Sequence, residues 1–159
     1  MGLQSVSLTQ SDGQVSSIIP SKIICIGRNY AEHINELGNE IPDEMVVFLK
    51  PNSAISITLR SQLGEPLHYE AELCFMVSDG QFSAVGVGLD MTKRELQTKL
   101  KKQGLPWERS KAFDGSALFS EFIAITPDIK DWCFQLSIDN VVTQLGHQQL
   151  MMYQPHAIY

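Results

Sequence analysis

His68-Tyr69-Glu70-Ala71-Glu72-Leu73-Cys74-Phe75-Met76-Val77 is the stretch that decides the fold class. Successive side chains of a strand point to opposite faces. That period sets Tyr69, Ala71, Leu73, Phe75 and Val77 on one apolar face, and His68, Glu70, Glu72, Cys74 and Met76 on the other. The pattern predicts a central strand whose two carboxylates need something to neutralise them. Working outward, strands are expected at 6–9 and 15–19 around an Asp12-Gly13 hairpin turn, and at 22–26 as a buried strand. Further strands are expected at 45–49, 54–59, 82–89, 121–126, 132–138 and 141–145, the last two joined by a tight Asp139-Asn140 turn. Helices are few. A short one over 30–37 takes Asn29 as its cap. A longer one starts at a Thr92-x-x-Glu95 capping box and closes at Gly104, and Pro155 opens a third. The fold class read from this order is α+β, mostly β.

The chain of 159 residues is one domain's worth, and its 43% hydrophobic content supports a packed core. Its net charge of −6 argues against a broad nucleic-acid or anionic-membrane surface. No apolar run approaches the ~18 residues of a membrane span. Residues 1–13 lack the basic and apolar regions of a signal peptide. Cys25, Cys74 and Cys133 stand in apolar stretches and read as buried reduced thiols. The expectation is a single cytoplasmic domain over 1–159, opened by an N-terminal hairpin at 1–20, with no nucleic-acid or membrane partner.

Glu70 and Glu72 share a strand face, and Asp90 ends the next apolar strand, so three carboxylate oxygens can meet one cation. Such ligation suits Mg²⁺ or Mn²⁺. The same spacing also describes a solvated polar face. His33 and Glu36 fall at i,i+3 on the short helix, where a carboxylate can orient an imidazole as a general base; the alternatives are an exposed pair or a histidine in a Tyr30/His33/Leu37 packing stripe, and the spacing by itself favours these. Lys50 and Lys111 each read as surface lysines or as site residues, while Lys99, Lys101 and Lys102 read as a solvated helix face.

Several motifs then occur in one order. Cys25-Ile-Gly-Arg-Asn-Tyr-Ala-Glu-His33 is followed by Val47-Phe-Leu-Lys50-Pro51, His68-Tyr-Glu-Ala-Glu72-Leu73 and Gly88-Leu-Asp90-Met-Thr-Lys-Arg94. Gly104-Leu-Pro-Trp107 and Ser110-Lys111-Ala-Phe113-Asp114 complete the set. From about 22 to 159 the chain resembles the fumarylacetoacetate hydrolase family, in particular its small acylpyruvase and oxaloacetate decarboxylase branch. The resemblance implies a mixed β-sandwich or β-roll with a few short helices, a homodimer, and Mg²⁺ or Mn²⁺ on Glu70, Glu72 and Asp90. It implies His33 and Glu36 as a water-activating or proton-relay pair on a lid helix, and Lys111 as the active-site lysine. It places Arg28, Tyr30, Arg94 and Gln97 along the substrate pocket. Relatives continue beyond Tyr159 into closing strands and a Thr-Gly-Thr-Pro loop, so this chain is expected to be truncated at its C-terminal end. The activity implied is hydrolysis of a C–C bond in a small 2,4-dioxo acid. The alternatives are oxaloacetate decarboxylation or tautomerisation at the same metal site, or a remnant that only binds metal and ligand.

Overall fold

The computed structural model of the chain describes residues 2–30, 43–126 and 131–158. The predicted helix at 30–37, with His33 and Glu36, lies outside the described residues apart from Tyr30. The architecture is mostly β. The largest sheet runs β2 (Val15–Ile18), β1 (Val6–Thr9), β10 (Phe122–Ala124), β7 (Gln81–Asp90), β6 (Ala71–Ser78), and β9 (Ala117–Phe119) also pairs with β7. Pairing is antiparallel except between β1 and β10. The β1–β2 hairpin turns where expected, with Gly13 at φ +84°. Three two-stranded ribbons accompany this sheet among the described residues. They are β3 (Lys22–Gly27) with β4 (Val46–Pro51), β5 (Leu67–His68) with β8 (Thr92–Lys93), and β11 (Cys133–Ile138) with β12 (Val141–His147). Asp139 and Asn140, both at positive φ, make the last hairpin's tight turn, a conformation that Asp and Asn tolerate well. Among the described residues the α-helices are α1 (Arg94–Lys102), α2 (Glu108–Lys111) and α3 (Pro155–Ile158).

The core is built from Val6, Leu8, Ala54, Ile55, Ala84, Ala117 and Phe122, with Ile18, Ile23, Cys74, Met76 and Phe119 packed on it. Strand β7 is central because its edge must approach two neighbours closely. A Cβ on Gly88 would come within 2.7 Å of Cys74 Sγ and 3.1 Å of the Leu118 carbonyl. Gly88 therefore lets the strand lie flush against β6 and β9, and Gly86 gives the same close approach to Ser120 and Phe122 beside β10.

Several sequence expectations are corrected. Among the described residues β6 is an edge strand of its sheet, not a central one. The face read as core leaves Tyr69 and Val77 exposed, whereas Cys74 and Met76 on the Glu face pack on the core. The carboxylates therefore point inward. The free edge of β6 is covered by β12, whose Gln144 amide accepts from the Ala71 N–H at 2.9 Å and donates to the Ala71 carbonyl at 2.7 Å. The segment 54–59 is no strand. A 3₁₀ turn at Asn52–Ala54 precedes a single bridge from Ile55 to Ala117, and Ile57 is fully exposed. Strand β3 is half-exposed rather than buried, because the ribbon has one face to solvent. Cys133 is exposed on its hairpin, and all three cysteines are free thiols. Asn29 bonds to the Tyr153 backbone through both ends of its amide, at 3.0 and 2.7 Å. No helix among the described residues is long and apolar enough to cross a membrane.

Candidate active site

Four element ends converge on one cluster. Glu70 lies just before β6 and Glu72 within it; Asp90 ends β7, Lys50 stands near the end of β4, and Lys111 ends α2. The two lysines are 1% and 3% exposed, so neither is a surface lysine. Lys111 Nζ donates to Glu70 Oε2, Asp90 Oδ2 and Thr92 Oγ1, each at 2.7 Å. Lys50 Nζ pairs with the other Asp90 oxygen at 2.8 Å and donates to the carbonyls of Lys111 and Ser116. Arg94 Nη2 reaches Glu70 Oε1 at 2.5 Å, and its Nη1 donates to Gln97 Oε1 at 3.0 Å.

Thr92 belongs to this cluster rather than to a helix cap. It pairs with His68 between β8 and β5, so the helix begins two residues later. The orphan N–H groups of Glu95 and Leu96 are taken instead by Glu65 Oε1, at 2.9 and 3.4 Å. Gly104, at φ +63°, closes α1 as the sequence predicts.

The charges are unevenly matched. Burial works against the Glu70 carboxylate, but Lys111 and Arg94 overcome it and hold its pKa at about 2. Burial first, then the charges of Glu70 and Asp90, push Glu72 up to about 8, with Lys111 opposing only weakly. Among the described residues the Glu72 side-chain carboxyl has no hydrogen-bonded or ion-paired partner, its backbone carbonyl accepting from Cys74 Sγ. Burial lowers the Lys50 pKa despite Asp90, whereas Asp90 and Glu70 outweigh burial and raise that of Lys111. The Tyr30 hydroxyl is buried without a hydrogen-bond partner, and burial, then Glu72, raises its pKa. Tyr30 is held by a bridge to Met151, next to the Asn29–Tyr153 bonds.

A cavity of about 1790 Å³ opens above the cluster. Arg28, Tyr30, Arg94 and Gln97 all line it, as do Cys25, Phe48, Lys101 and Trp107. The structure thus brings eight predicted residues together: Glu70, Glu72, Asp90, Lys111, Arg28, Tyr30, Arg94 and Gln97. His33 and Glu36 lie outside the described residues. Lys50, which the sequence leaves open between surface and site, belongs to the site, and its sequence signal is its place directly after the apolar run 45–49; Thr92, read from sequence as a helix cap, is a site member with no sequence signal of that role.

Glu70, Asp90 and Glu72, the last with no cation beside it among the described residues, are three hard oxygen donors of the kind a divalent ion takes. As the side chains stand, no three His, Cys, Asp or Glu among the described residues are grouped to hold an ion, since the Lys111 ammonium sits between Glu70 and Asp90. The donor set fits Mg²⁺ or Mn²⁺.

Residues 22–158 match the family model described as fumarylacetoacetate (FAA) hydrolase C-terminal. The oxaloacetate tautomerase YcgM of Escherichia coli is 38% identical over 145 residues, covering 79% of this chain and 66% of that protein. The mitochondrial oxaloacetate decarboxylase of Dictyostelium discoideum is 36% identical over 160 residues, covering 86% of this chain and 72% of its own length. The crystal structure of fumarylpyruvate hydrolase from Pseudomonas aeruginosa, in complex with Mn²⁺ and pyruvate, superimposes with a TM-score of 0.80 at 28% identity. It covers 94% of this chain and 73% of that one. The chain therefore spans about two thirds to three quarters of the length of these relatives.

Proposed function

This chain belongs to the fumarylacetoacetate hydrolase family, and on that premise we propose that its cavity binds a small, enolisable 2-oxo acid and promotes enolate formation from it. Oxaloacetate tautomerisation or decarboxylation is the reading we favour; hydrolysis of an acylpyruvate is the second, supported by the likeness to the fumarylpyruvate hydrolase. Glu70, Glu72 and Asp90 would hold Mg²⁺ or Mn²⁺, which when bound supplies Lewis acidity toward a 2-oxo group.

The chain's own residues supply the rest. Lys111 keeps a positive charge at the meeting point of Glu70 and Asp90. A fixed cation there favours an oxyanion that develops beside it, since it needs no reorganisation as charge forms. Arg94 is oriented by Glu70 on one side and Gln97 on the other, which leaves its remaining N–H groups for a substrate carboxylate. Phe48, Cys25 and Trp107 give the cavity apolar walls that thin out water around these charges. His33 and Glu36 would activate water in the hydrolytic reaction, whereas enolisation and decarboxylation need no water attack.

The observation that carries the reading is the convergence of three carboxylates and two buried lysines at the floor of one cavity. Its test is turnover of oxaloacetate and of acetylpyruvate by the Mn²⁺-supplemented chain, with Mn²⁺ binding followed by calorimetry. Acceleration of oxaloacetate enolisation or decarboxylation is expected, lost in Glu72→Ala and in Lys111→Met. A chain that binds Mn²⁺ through Glu72 yet acts on neither substrate would refute the assignment.

A further inference from the structure

Helix α1 turns Arg94, Gln97 and Lys101 toward the cavity, spaced i, i+3, i+7 on one helix face. Two of the three are engaged: Arg94 with Glu70 and Gln97, and Gln97 with Arg94 while 4% exposed. Lys101 differs. Among the described residues it makes no ion pair, and its ammonium rests over the Trp107 ring at 4.4 Å from the centroid. Lys101 stands close enough to Arg94 for their charges to interact. Burial lowers its pKa, and the charges of Arg28, Arg94 and Lys111 lower it further, with Glu70 opposing. Arg94 and Lys101 thus both stand on the helix face that lines the cavity, while Glu70 and Asp90 at its floor are already paired with Arg94, Lys111 and Lys50. The neighbouring Lys99 and Lys102 carry the same charge on the same helix but do not line the cavity.

We propose that Lys101 is a specificity residue that receives a second carboxylate of the substrate, so that the cavity favours 2-oxo acids bearing two carboxylates over those bearing one. This rests on the oxo-acid reading above. The Trp107 ring holds the ammonium in place without neutralising it, which leaves its N–H donors for an anion. The remainder of α1's basic surface has no such geometry and serves as an internal control.

The test is binding to the metal-free chain in a Trp132→Phe background, where Trp107 is the sole tryptophan and reports on its own neighbour. Malonate is titrated against acetate at constant ionic strength, by Trp107 emission and by calorimetry, in the parent, Lys101→Met, Lys101→Arg and Lys99→Met. Malonate is expected to bind about tenfold more weakly to Lys101→Met, close to parent affinity in Lys99→Met and Lys101→Arg, with acetate unchanged throughout. Malonate affinity equal in Lys101→Met and Lys99→Met, or no malonate binding by the parent, would overturn the proposal. Turnover separates it from the reading beneath it. If the Mn²⁺-loaded chain processes oxaloacetate with the same KM in parent and Lys101→Met, the specificity role fails and the oxo-acid reading stands. If no oxo acid is turned over while malonate binding still depends on Lys101, the oxo-acid reading fails and the carboxylate subsite stands.

Discussion

Replacing Lys50 by Met keeps the length of the side chain and removes its charge and donors. At 1% exposure the site gives water no route to substitute for the lost ammonium. Three partners are affected unequally. The Ser116 carbonyl keeps a bond from the Met91 N–H at 2.9 Å, so its loss is small. The Lys111 carbonyl has Lys50 as its donor and is left unpaired, at about 1–3 kcal/mol. Asp90 retains Lys111 at 2.7 Å, so only a fraction of the ~3–5 kcal/mol for breaking a buried pair applies. Relief of the desolvated ammonium offsets part of the sum.

The balance is a destabilisation of about 3 kcal/mol. With a urea dependence near 2 kcal/mol per molar, the unfolding midpoint falls by roughly 1.5 M. Lys50→Arg should not restore it, since the site fits a compact ammonium and not a planar fork. In a double-mutant cycle with Asp90→Asn the two changes should be non-additive by at least about 0.5 kcal/mol. A midpoint shift under roughly 0.3 M, or strict additivity with Asp90→Asn, would refute the claim that Lys50 ties β4 to the 111–116 segment through Asp90.

Gly88→Ala should destabilise by about 1–3 kcal/mol in thermal or urea melts, because the new Cβ meets Cys74 Sγ; Cys74→Ala should recover part of that loss. Glu65→Ala should cost α1 about 0.5–2 kcal/mol, as the loss of a helix cap does, whereas Thr92→Ser should leave helix content by circular dichroism unchanged. The metal-free chain should show opposed pH limbs in its urea midpoint. Glu72, raised to about 8, adds stability that is full below its unfolded value near 4.5 and is lost as pH climbs through 8. Glu70, held near 2, adds stability that is full above 4.5 and is lost as pH falls toward 2. Glu72→Gln should flatten the alkaline limb alone; an unchanged alkaline limb would show that Glu72 is not the group responsible.

What could be read from sequence followed from local period. Alternation put Glu70 and Glu72 on one face, and that pairing survives although the face itself turned out to be the inner one. The assignment inverted because both faces of 68–77 carry apolar residues, so periodicity fixes which side chains travel together but not which set faces the core. The same ambiguity leaves Lys50 undecided between surface and site. In β4 the residues Phe48 and Lys50 share the cavity side, while Val47 and Leu49, about half exposed, share the outer side. Nothing local distinguishes these two apolar rows. The Thr92-x-x-Glu95 pattern met the rule for a capping box, yet β5 claims Thr92 as a strand partner, and a tertiary pairing at 24 residues' distance from His68 outweighs a local preference.

The site's position follows from the same topology. Strand β7 runs its whole length against β6 and divides its other edge between β10 and β9, so its last residue, Asp90, falls where β6 begins. The antiparallel register then sets Glu72 opposite Gly88 and brings the Asp90 N–H to the Glu70 carbonyl at 2.8 Å. Three carboxylates are thereby forced together by backbone pairing alone, before any side chain chooses a partner. Such a grouping is tolerable only with cations of matching burial, and the two lysines that answer it come from elements outside that sheet, β4 and α2. Lys50 donates to backbone carbonyls as well as to Asp90, so it anchors structure. Lys111 donates to side chains alone, so it can give up its contacts without unpairing the backbone. The division between a structural and an exchangeable lysine is thus set by what each ammonium touches besides the carboxylates.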